Sequence, residues 1–189
     1  KEVEVALKEV DQFVASSDLT RIKDFEVLMM SDALYDRGEH QKALAALQGF
    51  FRDNPTSSNL DISRSRIIKT LTNEVESRVD RGDFIDAFKI YGQNLTTWLK
   101  GADRIDLRFY LGKAYEKAGV PAEAARYYRE ALNKRYAVAG TDDEKRRMIL
   151  EKMPTADELN LRLAAVAEKE GNLSLSGKFL TDIRSPLAL

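Results

Sequence analysis

Gly112–Leu132 reads GKAYEKAGVPAEAARYYREAL, and the spacing of its small residues decides the fold. Gly112, Gly119, Ala124 and Ala131 recur at helical intervals, with Tyr115 and Tyr128 set between them. The pattern describes two helices and a stop. A helix that ends and reverses needs a left-handed residue just past its end, and Gly119 enters that region without a steric penalty. Small residues then let the two helices cross closely, while the tyrosines fill the space around the crossing.

Working outward, the same stop recurs as Asp36-Arg37-Gly38-Glu39, Asp80-Arg81-Gly82-Asp83, Lys117-Ala118-Gly119-Val120 and Lys169-Glu170-Gly171-Asn172. Five residues after each Gly stands Ala43, Ala87, Ala124 or Ser176, and four further on Leu47, Tyr91, Tyr128 or Leu180. Seven before each Gly sits Ser31, Val75, Gly112 or Ala164. Apolar residues recur at three and four rather than at two, so the chain reads as all-α. Val3, Val5, Ala6, Val10, Phe13 and Val14 form a first amphipathic stretch. Helices are then expected near 21–37, 40–53, 61–81, 84–99, 103–118 and 121–138. Two capping boxes, Thr141 with Glu144 and Thr155 with Glu158, open further helices near 142–152 and 156–170, with a last one near 173–183. One such pair cannot bury its own apolar faces. Stacked pairs can, which predicts an α-solenoid of about nine to ten helices.

At this point the sequence resembles the tetratricopeptide repeat (TPR) family. In 105–138, Leu111, Gly112, Tyr115, Gly119, Ala124, Tyr128 and Ala131 fall on the family's consensus places. The stretch 24–57 is a second copy through Gly38, Ala43, Leu47 and Pro55, with Leu34 in place of the usual Tyr and Phe50 in place of the usual Ala. The stretch 68–101 is degenerate, because Glu74 and Arg78 stand where the family is apolar; 157–185 keeps Leu163, Ala164, Gly171 and Leu180. The turn glycines are 44, 37 and 52 residues apart, against about 34 in a regular array. Insertions are therefore expected between pairs, at Ser57–Ser63 and in the region 139–153, where Thr141 opens an added helix. The resemblance implies a right-handed solenoid of antiparallel helix pairs over 1–189. Within it 1–16 is read as a half repeat, which makes the chain a piece of a longer protein.

Composition narrows the function. Thirty basic and 31 acidic residues leave a net charge of -1, so no global field draws the chain towards nucleic acid or an anionic membrane. Cys is absent, which removes disulfides, thiolate nucleophiles and Cys-ligated metals. No apolar run approaches the roughly 20 residues that cross a bilayer, so no membrane insertion is expected. The compartment, cytoplasmic or periplasmic, stays open. His40 is the one histidine and follows a turn, where a solvated residue is ordinary. No phosphate loop or nucleophile elbow occurs, and Asp142-Asp143 and Glu2 with Glu4 favour helix starts rather than acid-base chemistry. The reading is of no enzyme, no metal and no cofactor. Seven basic against four acidic residues over Arg126–Arg147, and seven against twelve over Lys1–Asp61, polarise the chain locally. Aromatics are not interleaved with the basic residues on one face, which disfavours nucleic acid.

The resemblance implies binding of a protein or peptide in a groove lined by the first helix of each pair. Its exposed positions correspond to Leu28, Asp32 and Tyr35; Lys69, Asn73 and Glu76; and Asp106, Phe109, Lys113, Glu116 and Lys117. Of the doublets Phe109-Tyr110 and Tyr127-Tyr128, helical phase turns one member of each to the core, leaving Tyr127 the more exposed of its pair. The family's two-carboxylate clamp would need Lys or Asn at Leu28 and Asp32, Asn at Asn73, and Lys and Arg at Asp106 and Tyr110. One match in five argues against a C-terminal carboxylate as ligand. A scaffold that assembles with itself, or within a larger bacterial envelope or motility machine, is the second reading. The half repeat at 1–16 and the charge polarity motivate it.

Overall fold

The computed structural model describes residues 17–102, 104–140, 150 and 153–184. Among them the regular structure is helical: α1 (Ser17–Asp36), α2 (His40–Asp53), α3 (Leu60–Arg81), α4 (Phe84–Asn94), α5 (Ile105–Lys117), α6 (Pro121–Ala139), α7 (Ala156–Lys169) and α8 (Leu173–Thr181). The amphipathic stretch Val3–Val14 and the helix expected from Thr141 lie outside the described residues.

All four turn glycines take positive φ: 75° at Gly38, 84° at Gly82, 76° at Gly119 and 76° at Gly171. They also share one hydrogen-bond pattern. The glycine N–H donates three residues back, as in Gly119 to Glu116 at 3.3 Å, and the next N–H donates five back, as in Val120 to Tyr115 at 2.9 Å. Glu39 to Leu34, Asp83 to Arg78 and Asn172 to Ala167 repeat the second bond at 2.8–2.9 Å. These are Schellman closures, which satisfy carbonyls that the helix end would leave orphaned. Helix starts are equally local. Pro121 stands at a first position, where its missing N–H costs nothing; Thr155 Oγ1 accepts from Glu158 N at 3.0 Å and Asn172 Oδ1 from Leu175 N at 3.0 Å.

One expectation is corrected. α4 stops at Asn94 rather than near 99. The Asn94 amide donates to the Ile90 carbonyl at 2.8 Å, Leu99 N–H returns to the Asn94 carbonyl at 2.9 Å, and the buried Leu99 anchors the turns that follow. Of the stretch Ser57–Ser63, where extra length is expected, Leu60–Ser63 form the start of α3, whose 22 residues compare with 20 in α1, 13 in α5 and 14 in α7. The loop before α3 is held from within: the Ser57 hydroxyl donates to the buried Asp24 carboxylate and accepts from Asn59 N.

The chain divides into two compact units, Lys1–Leu71 and Thr72–Leu189, with the boundary inside α3. In the first, α1 packs on α2, and Leu28, Ala43, Leu47, Phe50, Ile67 and Leu71 are buried. In the second, α4 packs on α5, α5 on α6, α6 on α7 and α7 on α8. Its core joins Ile105, Phe109, Ala124, Tyr128, Ala131 and Leu132 to Leu159, Leu163 and Val166. The crossing of α5 and α6 is closer than small residues alone would make it. A Cβ on Gly112 would stand 2.5 Å from the Tyr128 ring, so the ring occupies the place of the absent side chain. Tyr128 is wholly buried, and its hydroxyl donates to Glu116 Oε2 at 2.8 Å, which removes the cost of sinking it.

Candidate functional site

The first helices of successive pairs meet side by side through polar groups at the repeat period. In the first unit Arg66 Nη2 donates to Asp32 Oδ2 at 2.6 Å, across 34 residues. In the second the Tyr110 hydroxyl donates to Glu76 across 34 residues, and Lys113 Nζ donates to Asp80 Oδ1 at 2.9 Å across 33. Contact spacing is thus regular although the turn glycines are not.

Within the first unit α1 and α3 frame a cleft of about 350 Å³, lined by Ser31, Asp32, Tyr35, Asp36, Leu47, Arg66, Lys69 and Thr70. Tyr35 stacks on His40 at 5.0 Å between centroids, and Lys69 Nζ stands 4.6 Å above the Tyr35 ring. This cation–π contact fixes an ammonium at the wall. Asp32 takes one amino group of Arg66. The other, Nη1, is buried and has no hydrogen-bond partner among the described residues. A buried donor without an acceptor is costly, and this nitrogen is closed off from the cleft, so the donor the cleft wall itself carries is the Lys69 ammonium. Asp32 and Asp36 on the same wall offer acceptors, which gives the cleft both halves of a hydrogen-bond pattern.

The candidate residues of the second unit are occupied differently. Burial first, and then the hydrogen bond to Glu76, raises the Tyr110 hydroxyl far above the ordinary tyrosine range. Lys113 lies over both Tyr110 and Phe109, 5.2 and 5.7 Å from the ring centroids. Asp106 pairs with Arg104, whose Nε is 2.9 Å from Oδ1. The Glu116 side chain, 7% exposed, receives Lys169 Nζ at 2.9 Å and lies 3.6 Å from Arg162 of α7. Burial pushes its pKa up, but the hydrogen bonds from Lys169 and Tyr128 and the nearby cations outweigh burial and hold it below the ordinary value.

Three expected groove residues are therefore corrected. Leu28 is 2% exposed and Phe109 5%, both in core packing, and Glu116 is turned into the stack between α5, α6 and α7. Phe109 is covered because α6 packs on α5 and sets the Tyr128 ring 6.0 Å from its own. Tyr127 is buried like Tyr128, 6% against 0% exposed, since Tyr115 stacks on it at 5.5 Å and Arg126 covers its other side. Of the remaining candidates, Asp32, Tyr35 and Lys69 converge on the cleft of the first unit. Asn73 and Glu76 are half-buried and Lys117 is exposed. Arg66 and Thr70 were missed by sequence reasoning. Asp32 and Arg66 stand one repeat length apart, and that was the available signal.

Among the described residues no three His, Cys, Asp or Glu converge as a metal site. None of the described helices is long and apolar enough to cross a membrane. Helix pairs closed by identical glycine stops, stacked with small residues at the crossing, define a helical-repeat protein. The tetratricopeptide repeat family model matches residues 106–136, which span α5 and most of α6. Such repeats are in general protein-interaction modules. No curated protein matches the chain.

Proposed function

We propose that the chain is a protein-binding module without chemistry of its own, and that the cleft of the first unit takes an extended segment or helix of its partner. The observation that carries this reading is the convergence of Asp32, Tyr35, Asp36 and Lys69 on an open cleft of about 350 Å³, with Lys69 Nζ held 4.6 Å above the Tyr35 ring. A main-chain carbonyl accepts from Lys69, while Asp32 or Asp36 accepts from the adjoining N–H. That combination suits a peptide better than a free carboxylate, which the two aspartates would repel. Lys69 and Tyr35 then add a rigid aromatic wall and a charge that select the side chain.

Selection of a random peptide library against the intact chain tests this. The expected result is an enriched motif whose affinity falls at least tenfold, about 1.4 kcal/mol, on Lys69→Glu or Arg66→Met, with the helicity unchanged. No enrichment, or a motif indifferent to both substitutions, contradicts it.

A further inference from the structure

Counting from the turn glycines aligns the faces that pair one repeat with the next. On first helices, the residues twelve, eight and five before the Gly are Leu107, Leu111 and Ala114 in α5 and Leu159, Leu163 and Val166 in α7, and all six are buried. On second helices, the residues six, nine and thirteen after the Gly are Ala125, Tyr128 and Leu132 in α6, also buried and in one cluster with the α7 set. That is how α7 covers α6.

The same positions are bare on two other helices. In α1 they are Glu26, Met30 and Ala33, all exposed, with Met30 at 50%; Phe25 and Met29 continue that face at 61% and 53%. Asp24, Leu28 and Ser31 point the opposite way and are buried. In α8 the matching positions are Gly177 and Leu180, again exposed, and Leu173 extends the face at 68%. Isolated apolar side chains on a surface mean little; apolar side chains aligned at interface positions mean more.

We infer that these two faces are halves of one interface, and that the α1 face of one copy of the chain docks on the α8 face of a second copy in the manner of α7 on α6. The register selects this occupant: the contact continues an interface that the fold already makes, with Met30 standing in α1 where α7 has Leu163 and Leu180 standing in α8 where α6 has Tyr128. Gly177 meets nothing within 4 Å of where its Cβ would be, which leaves room for the long, pliable side chains of Met29 and Met30. The contact is heterologous. Each copy keeps one donor and one acceptor face, so association extends beyond a dimer unless a ring closes.

Sedimentation of the full chain, with two single-face variants, is the test. The wild type is expected to gain mass with concentration beyond that of two chains. Met30→Glu, which blocks the α1 face, and Leu180→Glu, which blocks the α8 face, each stay at the mass of one chain, and their equimolar mixture forms a dimer through the one face that each retains intact. A wild type that stays monomeric at high concentration, its α1 face covered by its own residues 1–16, overturns the inference. So does a variant that still self-associates with one face blocked, which would mark a symmetric dimer through the other. Both substitutions sit on exposed positions, so helicity and melting temperature check that the fold is retained.

Discussion

The two units solve the same packing problem with different residues. In the second, the place of a missing Gly112 side chain is filled by Tyr128, the tyrosine hydroxyl meets Glu116, and Glu116 in turn meets Lys169 and lies near Arg162. Nearly every polar group that enters this stack finds a partner there; Asn160, buried and unpartnered among the described residues, is an exception. In the first, α1 and α3 meet across an ion pair and a cation over a ring, and leave a cleft between them. The difference teaches that a repeat can close its polar groups into a packed stack or leave a cleft between its helices without changing its turns. Satisfied polar networks rigidify, and a cleft walled by a fixed cation and carboxylates keeps polar groups within reach of solvent.

Substitutions should separate the two units. Tyr128→Ala is expected to have the largest effect, about 3–5 kcal/mol for a large aromatic removed from a core, read by chemical denaturation. Gly112→Ala should cost about 1–3 kcal/mol, because its Cβ meets the Tyr128 ring at 2.5 Å and the ring has to shift. If Gly112→Ala is neutral, the crossing is looser than described.

Acid should also unsettle the second unit through Glu116. Its folded-state pKa lies below the ordinary 4.5, so the carboxylate contributes stability above that value, and the contribution is lost as pH falls through the lower folded pKa. Denaturation measured from pH 7 to pH 3 should show a loss that Glu116→Gln flattens. In the cleft the expected stability effects are the smallest: Lys69→Glu should stay within about 0.5 kcal/mol. Arg66→Met should cost up to about 1 kcal/mol, since it breaks the ion pair with Asp32 but leaves that carboxylate partly in solvent. A large loss there would mean that the cleft is structural.

Helix positions and stops were legible because their signals are local. A positive φ is a demand that glycine meets within one turn, and the four glycines were placed by it. Burial was less legible, since a helix's own sequence does not say which neighbour covers each face. The family resemblance puts Phe109 and Glu116 on an open groove, yet α6 brings Tyr128 against both and Lys169 at the end of α7 reaches Glu116. Arg66 was hidden for a related reason. Its partner, Asp32, lies 34 residues away on another helix, and the irregular glycine spacing concealed that regular offset. The stop at Asn94 escaped because it depends on a side-chain amide competing for a helix carbonyl, which no glycine announces.

Amide hydrogen exchange of the intact chain, with and without the selected peptide, tests the binding account most directly. Bound peptide should slow exchange at 31–36 and 66–70, around the cleft, and leave the α5–α7 stack unchanged. Protection confined to the second unit, with none at the cleft, would contradict it.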